Sequence, residues 1–293
     1  MIVDGVVTDD AIFTADSQFH EIRKYSLDGS LLARTGGRGE GPGEFTQLIA
    51  LEEWGAGGVV AFDRGGRRLS FYSSGLKLIS DIRVDRLFSD ICAQGGRLFL
   101  QGPSNGGLVH EVDPSSGRLL RSFGSVPTPP ELGVSSPLRR VATRALADAM
   151  LICEAAGDRM WLVHRNTPHI TAFESGGSRA WELELQDFKG LGFDVTDAGG
   201  LAMVPVSDDG AQHVLGSATL IRPNTLLVQY GQVTRDERMP DEGPIDSWEI
   251  DLASGIAARA GQERPRLLGR GGGILVFASN TPYPQLRIVA DSR

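Results

Sequence analysis

The feature that most constrains this chain is a short apolar phrase that returns six times. Runs of β-branched and large apolar residues begin at residues 12, 59, 98, 160, 226 and 274, reading IFTA, VVAF, LFLQ, MWLV, LLVQ and ILVF. Their starts lie 47, 39, 62, 66 and 48 residues apart. Such runs are too short for buried helices and suit strands. Several follow a glycine break: GAGG from Gly55, QGG from Gln94, AAGD from Ala155 and RGGG from Arg270. A second phrase recurs as YSLDGSLL from Tyr25, FYSSGLKL from Phe71, VDPSSGRLL from Val112, FESGGSRAW from Phe173 and IDLASGIAA from Ile250. Each joins two apolar ends through a polar turn with glycine, a hairpin signal because glycine readily takes positive φ. The two phrases together predict four short antiparallel strands per repeat. Small sheets repeated radially make an all-β, six-bladed β-propeller of four-stranded antiparallel blades. We expect one domain over 1–293, with blades near 1–45, 46–85, 86–133, 134–190, 212–262 and 263–293.

The chain ends where the last hairpin should turn, so the outer strand of the sixth blade is expected to be missing. First-to-last closure would then rest on Met1 to about Asp4. Residues 125–150 exceed the repeat, as a Pro-rich loop followed by PLRRVATRALADAM. Its apolar positions Leu138, Val141, Ala145, Leu146 and Ala149 fit a short amphipathic helix. Residues 187–218 read as an ordered excursion rich in Gly and Asp. The charged segment 232–246 reads as a solvated loop.

One segment carries a family resemblance. From Asp28 the chain reads DGSLLARTGGRGEGPGEF, a strand ending in glycine and then a Gly-x-Gly-Pro-Gly-Glu-Phe run closing at Phe45. This resembles the blade junction of NHL-type six-bladed propellers of bacteria. The repeat layout extends the resemblance over nearly the whole chain, although the sharp motif occurs once. The glycines permit turns where a β-carbon would clash, Pro42 stiffens the corner, and Phe45 is expected to plug between neighbouring blades. Relatives of this outline commonly bind partners without catalysis. Some are enzymes, one group using zinc and calcium on peptidyl-hydroxyglycine and another hydrolysing lactones at a channel-bound metal, but neither metal set can be matched here residue by residue.

The formal net charge of −8 is a poor footprint for nucleic acid or an anionic membrane. No apolar stretch approaches a membrane span. Nothing after Met1 reads as a signal peptide. The compartment therefore stays open, and is extracytoplasmic if an export segment precedes this chain. Nothing calls for a partner copy, so a monomer is expected. Cys92 and Cys153 occupy equivalent first-strand positions of consecutive blades and read as small buried side chains, neither a disulfide framework nor a zinc set. No phosphate loop, nucleophile elbow or dinucleotide fingerprint is present, and no cofactor is implied. His164 and His169 flank Asn166-Thr167-Pro168 without a third ligand at supporting spacing, so we assign no metal. Asp9, Glu52, Asp90 and Glu154 lie near inner strands, where a propeller channel is normally wet and polar.

The loops joining second to third strands share one face with those joining blades. We expect ligand contacts there from His20, Arg38, Arg64, Arg67, Arg68, Asn105, Arg165, Asn166, His169 and Asn280. The functional expectation is a non-catalytic ligand- or protein-binding propeller, taking a polar or anionic ligand or a peptide at the loop face and channel mouth. The alternative is a metal-dependent hydrolase or lyase with a divalent ion in the channel.

Overall fold

Each of the six apolar runs is the second strand of an antiparallel sheet in the computed structural model, which describes residues 1–104, 106–131, 134–154, 157–234, 245–262, 265–280 and 283–291. Blade 1 comprises β1 (Ile2–Val7), β2 (Ile12–Asp16), β3 (Glu21–Tyr25) and β4 (Leu31–Gly36). Blade 2 comprises β5 (Leu48–Trp54), β6 (Gly58–Asp63), β7 (Arg68–Tyr72) and β8 (Leu78–Arg83). Blade 3 comprises β9 (Asp90–Gln94), β10 (Arg97–Ser104), β11 (Gly107–Val112) and β12 (Leu119–Phe123), and helix α1 (Ser136–Ala147) follows. Blade 4 comprises β13 (Ala149–Cys153), β14 (Arg159–His164), β15 (His169–Glu174) and β16 (Arg179–Glu184), and a separate hairpin of β17 (Leu191–Val195) and β18 (Leu201–Pro205) follows. Blade 5 comprises β19 (Ala211–Arg222), β20 (Thr225–Thr234), β21 (Ile245–Asp251) and β22 (Ile256–Gln262). Blade 6 has three strands among the described residues: β23 (Leu267–Gly271), β24 (Ile274–Ser279) and β25 (Gln285–Ala290).

The first strands form a closed ring: β1 neighbours β5, then β9, β13, β19 and β23 follow, and β23 returns to β1. Burial follows from this layout. Second strands, paired on both edges and packed on both faces, are buried throughout in β2 and β6, whereas the rim strand β4 is mostly exposed. The core is divided among the six seams. Phe13, Phe45, Leu48 and Tyr72 pack between blades 1 and 2, and Val60, Phe62, Leu98 and Leu100 between blades 2 and 3. Phe99, Val109, Leu151 and Leu162 fill the next seam, and Trp161, Val163, Val228 and Trp248 the one after it. Smaller clusters around Leu227 and Leu267, and around Ile12 and Val276, complete the ring.

Polar side chains at the ends of the second strands pin the loops that enter the blades. Asp16 accepts the Met1 amine at 2.8 Å and the Gln18 amide at 2.9 Å. Asp63 accepts the backbone amides of Thr46, Gln47 and Gly66. Gln101 donates to Ala147 O at 2.6 Å, and Gln229 accepts the Leu267 amide at 2.7 Å. Asn280 accepts from Ile2 N and donates back to Ile2 O.

The glycine-rich junction after β4 is a scaffold piece. Phe45 is fully buried, and its amide donates to Gly37 O while Gly39 N donates to Phe45 O. Glu44 folds back to accept the Gly41 amide at 2.8 Å. Gly36 lies at φ 108°, and a β-carbon there would meet His20 O at 2.6 Å and the Phe45 ring at 2.9 Å.

Three expectations are corrected. Residues 1–4 do not add a strand to the last blade: β1 is the inner strand of blade 1, and the seam to blade 6 is closed by apolar packing and by Asn280 and Arg266 on the backbone of Ile2 and Val3. Helix α1 buries Ala142 and Ala147 and leaves Val141 47% exposed, because small residues permit close approach to the sheet below. The cysteines are not free. Cys92 of β9 and Cys153 of β13 form a disulfide, since equivalent positions on these adjacent inner strands have a Cα–Cα separation of 5.7 Å, within bonding range.

Two stability predictions follow from the seams. Asp63→Ala strands several buried amides and removes the carboxylate beside Arg68, and is expected to cost about 3 kcal/mol or more in urea denaturation. The bond between Cys92 and Cys153 spans 61 residues, so the C92A/C153A double variant is expected to lose about 2–4 kcal/mol. Thiol alkylation of denatured wild-type protein should label no cysteine until reductant is added, and labelling without it would refute the bond.

Candidate functional site

The sheet meander places the β2–β3, β6–β7, β10–β11, β14–β15 and β24–β25 connections on the same face as the blade junctions, and most candidate residues lie there. Their surroundings differ. Arg38 is exposed and Arg64 half-buried, and neither guanidinium makes a hydrogen bond or ion pair among the described residues, although Arg64 acts electrostatically on Asp148. Arg67 is exposed and makes one long contact, 3.4 Å from Nη1 to Asp85 O. The 64–67 turn is tied to the junction by Arg64 N donating to Gln47 O at 2.9 Å. His20 (φ 55°) and Arg67 (φ 49°) close the corresponding turns of blades 1 and 2 in the left-handed region, which is uncommon for residues other than glycine.

Other candidates are engaged by the scaffold. Arg68 is buried at 6% exposure; its guanidinium donates to Glu40 O at 3.0 Å and to Glu44 O, with Asp63 and Asp81 within 4 Å. It was expected to contact a ligand from the loop face, but its guanidinium holds the junction. Asn166 donates to Ala145 O at 2.9 Å, and Asn280 is held on Ile2. Arg165 donates to Leu215 O at 3.3 Å and lies 3.5 Å from Asp148. His169 Nδ1 has carboxylate oxygens of Glu184 and Glu182 at 3.5 and 3.9 Å but no hydrogen bond. Asn105 and most of the 232–246 segment lie outside the described residues.

The central channel holds the second group. A cavity of about 220 Å³ is lined by Asp4, Glu52, Asp90, Ser217 and Arg266 from five inner strands or their entries. Glu52 and Asp90 were anticipated there. Asp9 and Glu154 do not line this cavity, and Asp9 sits at a separate opening beside Glu53 and Arg270. Asp4 was missed because its strand was assigned to ring closure; the signal was a lone acid in IVDGVV, aligned with the acids of later inner strands.

The channel acids are also structural. Asp4 accepts the Leu51 amide of blade 2 at 2.7 Å, and Asp90 accepts the Leu151 amide of blade 4 at 2.8 Å. Burial nevertheless dominates their ionisation. It raises Asp4 to about 6 against the pull of the Leu51 amide, Arg266 and Arg165. It raises Asp90 to about 7, with repulsion from Asp4 adding to the effect. Glu52 is pushed well above the ordinary glutamate range by burial and then by Asp4, Asp90 and Glu53, with no cation among its influences. The three behave as one coupled group.

Among the described residues, no three His, Cys, Asp or Glu side chains converge as a metal site. No described helix is long and apolar enough to cross a membrane.

No protein-family model matches the chain, and no curated protein sequence is similar to it. Solved structures do resemble it. A member of the DUF4221 family from Bacteroides vulgatus superposes with a TM-score of 0.62 at 8% identity, over 99% of this chain and 93% of that one. A candidate exported protein from Bacteroides fragilis gives 0.61 at 12% identity, over 96% and 80%. Virginiamycin B lyase from Staphylococcus aureus gives 0.52 at 10% identity, over 95% and 91%.

Because the channel carboxylates bind protons more tightly folded than unfolded, their contribution to stability is complete below about pH 4 and is lost as pH rises through about 6 to 7. Thermal melts from pH 5 to pH 8 should therefore show a falling midpoint, by roughly 2–4 °C per kcal/mol lost. Asp90→Asn should flatten that slope, and an unchanged slope would remove the channel group as its cause.

Proposed function

We propose that this chain is a non-catalytic binding propeller that takes an anionic or polar ligand, or a peptide bearing such groups, at the loop face and channel mouth. One observation carries the reading: Arg38, Arg64 and Arg67 rise from two hydrogen-bonded loops on one face, while the neighbouring Arg68 is committed to the scaffold. Guanidinium groups that form no ion pair with a carboxylate, on a rigid frame, favour an anion from outside. The resemblance of the junction motif to NHL-type propellers agrees with a binding role, as an analogy of fold. The Cys92–Cys153 bond supports an oxidising compartment outside the cytoplasm.

A second reading rests on the channel. Asp4, Glu52 and Asp90 line one cavity without converging as a ligand set, and a divalent ion drawn to that acidic channel would serve a hydrolase or lyase. Asp4 and Asp90 each already give an oxygen to a backbone amide, which weighs against it.

The test is binding to an array of acidic and phosphorylated peptides before and after the triple change R38E/R64E/R67E, with Arg68 left intact. We expect the variant to melt within about 2 °C of wild type and to lose at least tenfold in affinity. Equal binding by both proteins would reject the loop-face reading. Calorimetric titration with Mg²⁺, Ca²⁺, Mn²⁺ and Zn²⁺ addresses the second reading, where one stoichiometric site abolished by Glu52→Gln would favour the channel.

A further inference from the structure

A larger cavity, about 600 Å³, lies between β11 of blade 3 and the β14–β15–β16 face of blade 4, under the 124–128 segment that leaves β12. Its origin lies in the junctions. At the seam between blades 1 and 2, the glycine-rich loop drops into the wedge, with Phe45 buried and Arg68 holding Glu40 and Glu44. At the seam between blades 3 and 4, the 124–128 segment passes over the blade 4 face as a strap, and helix α1 further on is held by Gln101, His164 and Asn166. Space remains beside the packed seam, between the 124–128 segment and the blade 4 face.

The blade 4 face beneath the strap is ordered in ranks. Leu162 pairs with Thr171, and Thr171 with Glu182; Phe173 pairs with Arg179. His164 and His169 end the same face, with ring centroids 6.3 Å apart. Apolar Leu108, Leu162 and Phe173 therefore form one wall and the imidazoles the other.

His164 is the distinctive element. It is only 5% exposed, and its Nδ1 lies 2.9 Å from Leu146 O. A carbonyl only accepts, so Nδ1 carries the proton and Nε2 presents a lone pair. Nε2 has no hydrogen-bond partner among the described residues. Burial lowers the pKa of the ring, which keeps it neutral. Thr167 Oγ1 on the same cavity is buried without a partner. The nearest charges at the rim neutralise each other, with Arg179 Nη1 2.6 Å from Glu182. Buried polar atoms normally find partners, and an open hydroxyl beside an imidazole nitrogen with no bond, on a cavity of ligand size, marks an incomplete set.

We propose that this cavity is a binding site for an uncharged small molecule with an aromatic or alicyclic body and a hydroxyl, which donates its hydrogen bond to His164 Nε2. The body lies against Leu108, Leu162 and Phe173. The site uses none of Arg38, Arg64 and Arg67, so it stands or falls apart from the loop-face reading.

The probe is 2-naphthol, with 2-methoxynaphthalene as the same body lacking the donor. Wild-type protein should bind 2-naphthol in calorimetry at about 1 mM or below and prefer it by about tenfold over the ether. Long-range ¹H–¹⁵N spectra should show His164 protonated on Nδ1, with the Nε2 resonance moving on addition of 2-naphthol. Thr128→Trp, on the exposed side of the strap, should block binding without altering the melt, and His164→Phe should remove the preference for the hydroxyl. If His164→Phe does not fold, the strap variant and the spectra decide. R38E/R64E/R67E should bind 2-naphthol as wild type does. No binding, equal binding of the two probes, an Nε2-protonated His164, or binding unchanged in Thr128→Trp would each overturn the site.

Discussion

Neighbouring blades of this ring share no strand ladder, so everything described depends on how side chains close the seams between them. Apolar packing supplies area, but it does not position the backbone entering each blade, whose amides and carbonyls must find partners. Residues at the ends of the second strands do this: Asp16 and Asp63 on amides, Gln101 and His164 on carbonyls, Gln229 and Asn280 on both. Further inside, Asp4 and Asp90 reach across to amides of the next inner strand. Fold and candidate sites thus draw on the same set of groups, and a polar residue facing a seam is structural wherever its partner is present.

Much of the architecture was legible because a radial fold repeats its grammar. The six apolar runs became the six second strands, and the glycine hairpins joined the outer pairs. Among the described residues the last blade has three strands, as counting strands along the sequence had suggested. Less legible was anything set by the separation of two blades. The equivalence of Cys92 and Cys153 could be read from ICAQGG and ICEAAG, but the 5.7 Å between their α-carbons arises from blade spacing, which no local pattern encodes. Arg68 was assigned to ligand contact for a related reason: its partners are carbonyls of the preceding junction, remote in sequence.

The candidate sites divide along the same line. Loop positions could be placed on a face by topology alone, whereas their availability depended on contacts that only the assembled ring supplies. The channel shows the reverse case. Glu52 and Asp90 could be anticipated from their place on inner strands, yet their coupling to Asp4 needed the first strand to return beside the others. Similarity to solved propellers at 8–12% identity adds agreement on fold and leaves the chemistry to these residues.

The paired left-handed residues at the tips of the first two blades have one more consequence. A bare backbone at His20 or Arg67 would adopt that conformation with less strain as glycine. An imidazole and a guanidinium therefore stand where chain geometry alone would ask for no side chain at all. Replacing either with glycine would ease the backbone and remove the side chain at once, so a glycine variant separates the two effects only when compared with alanine.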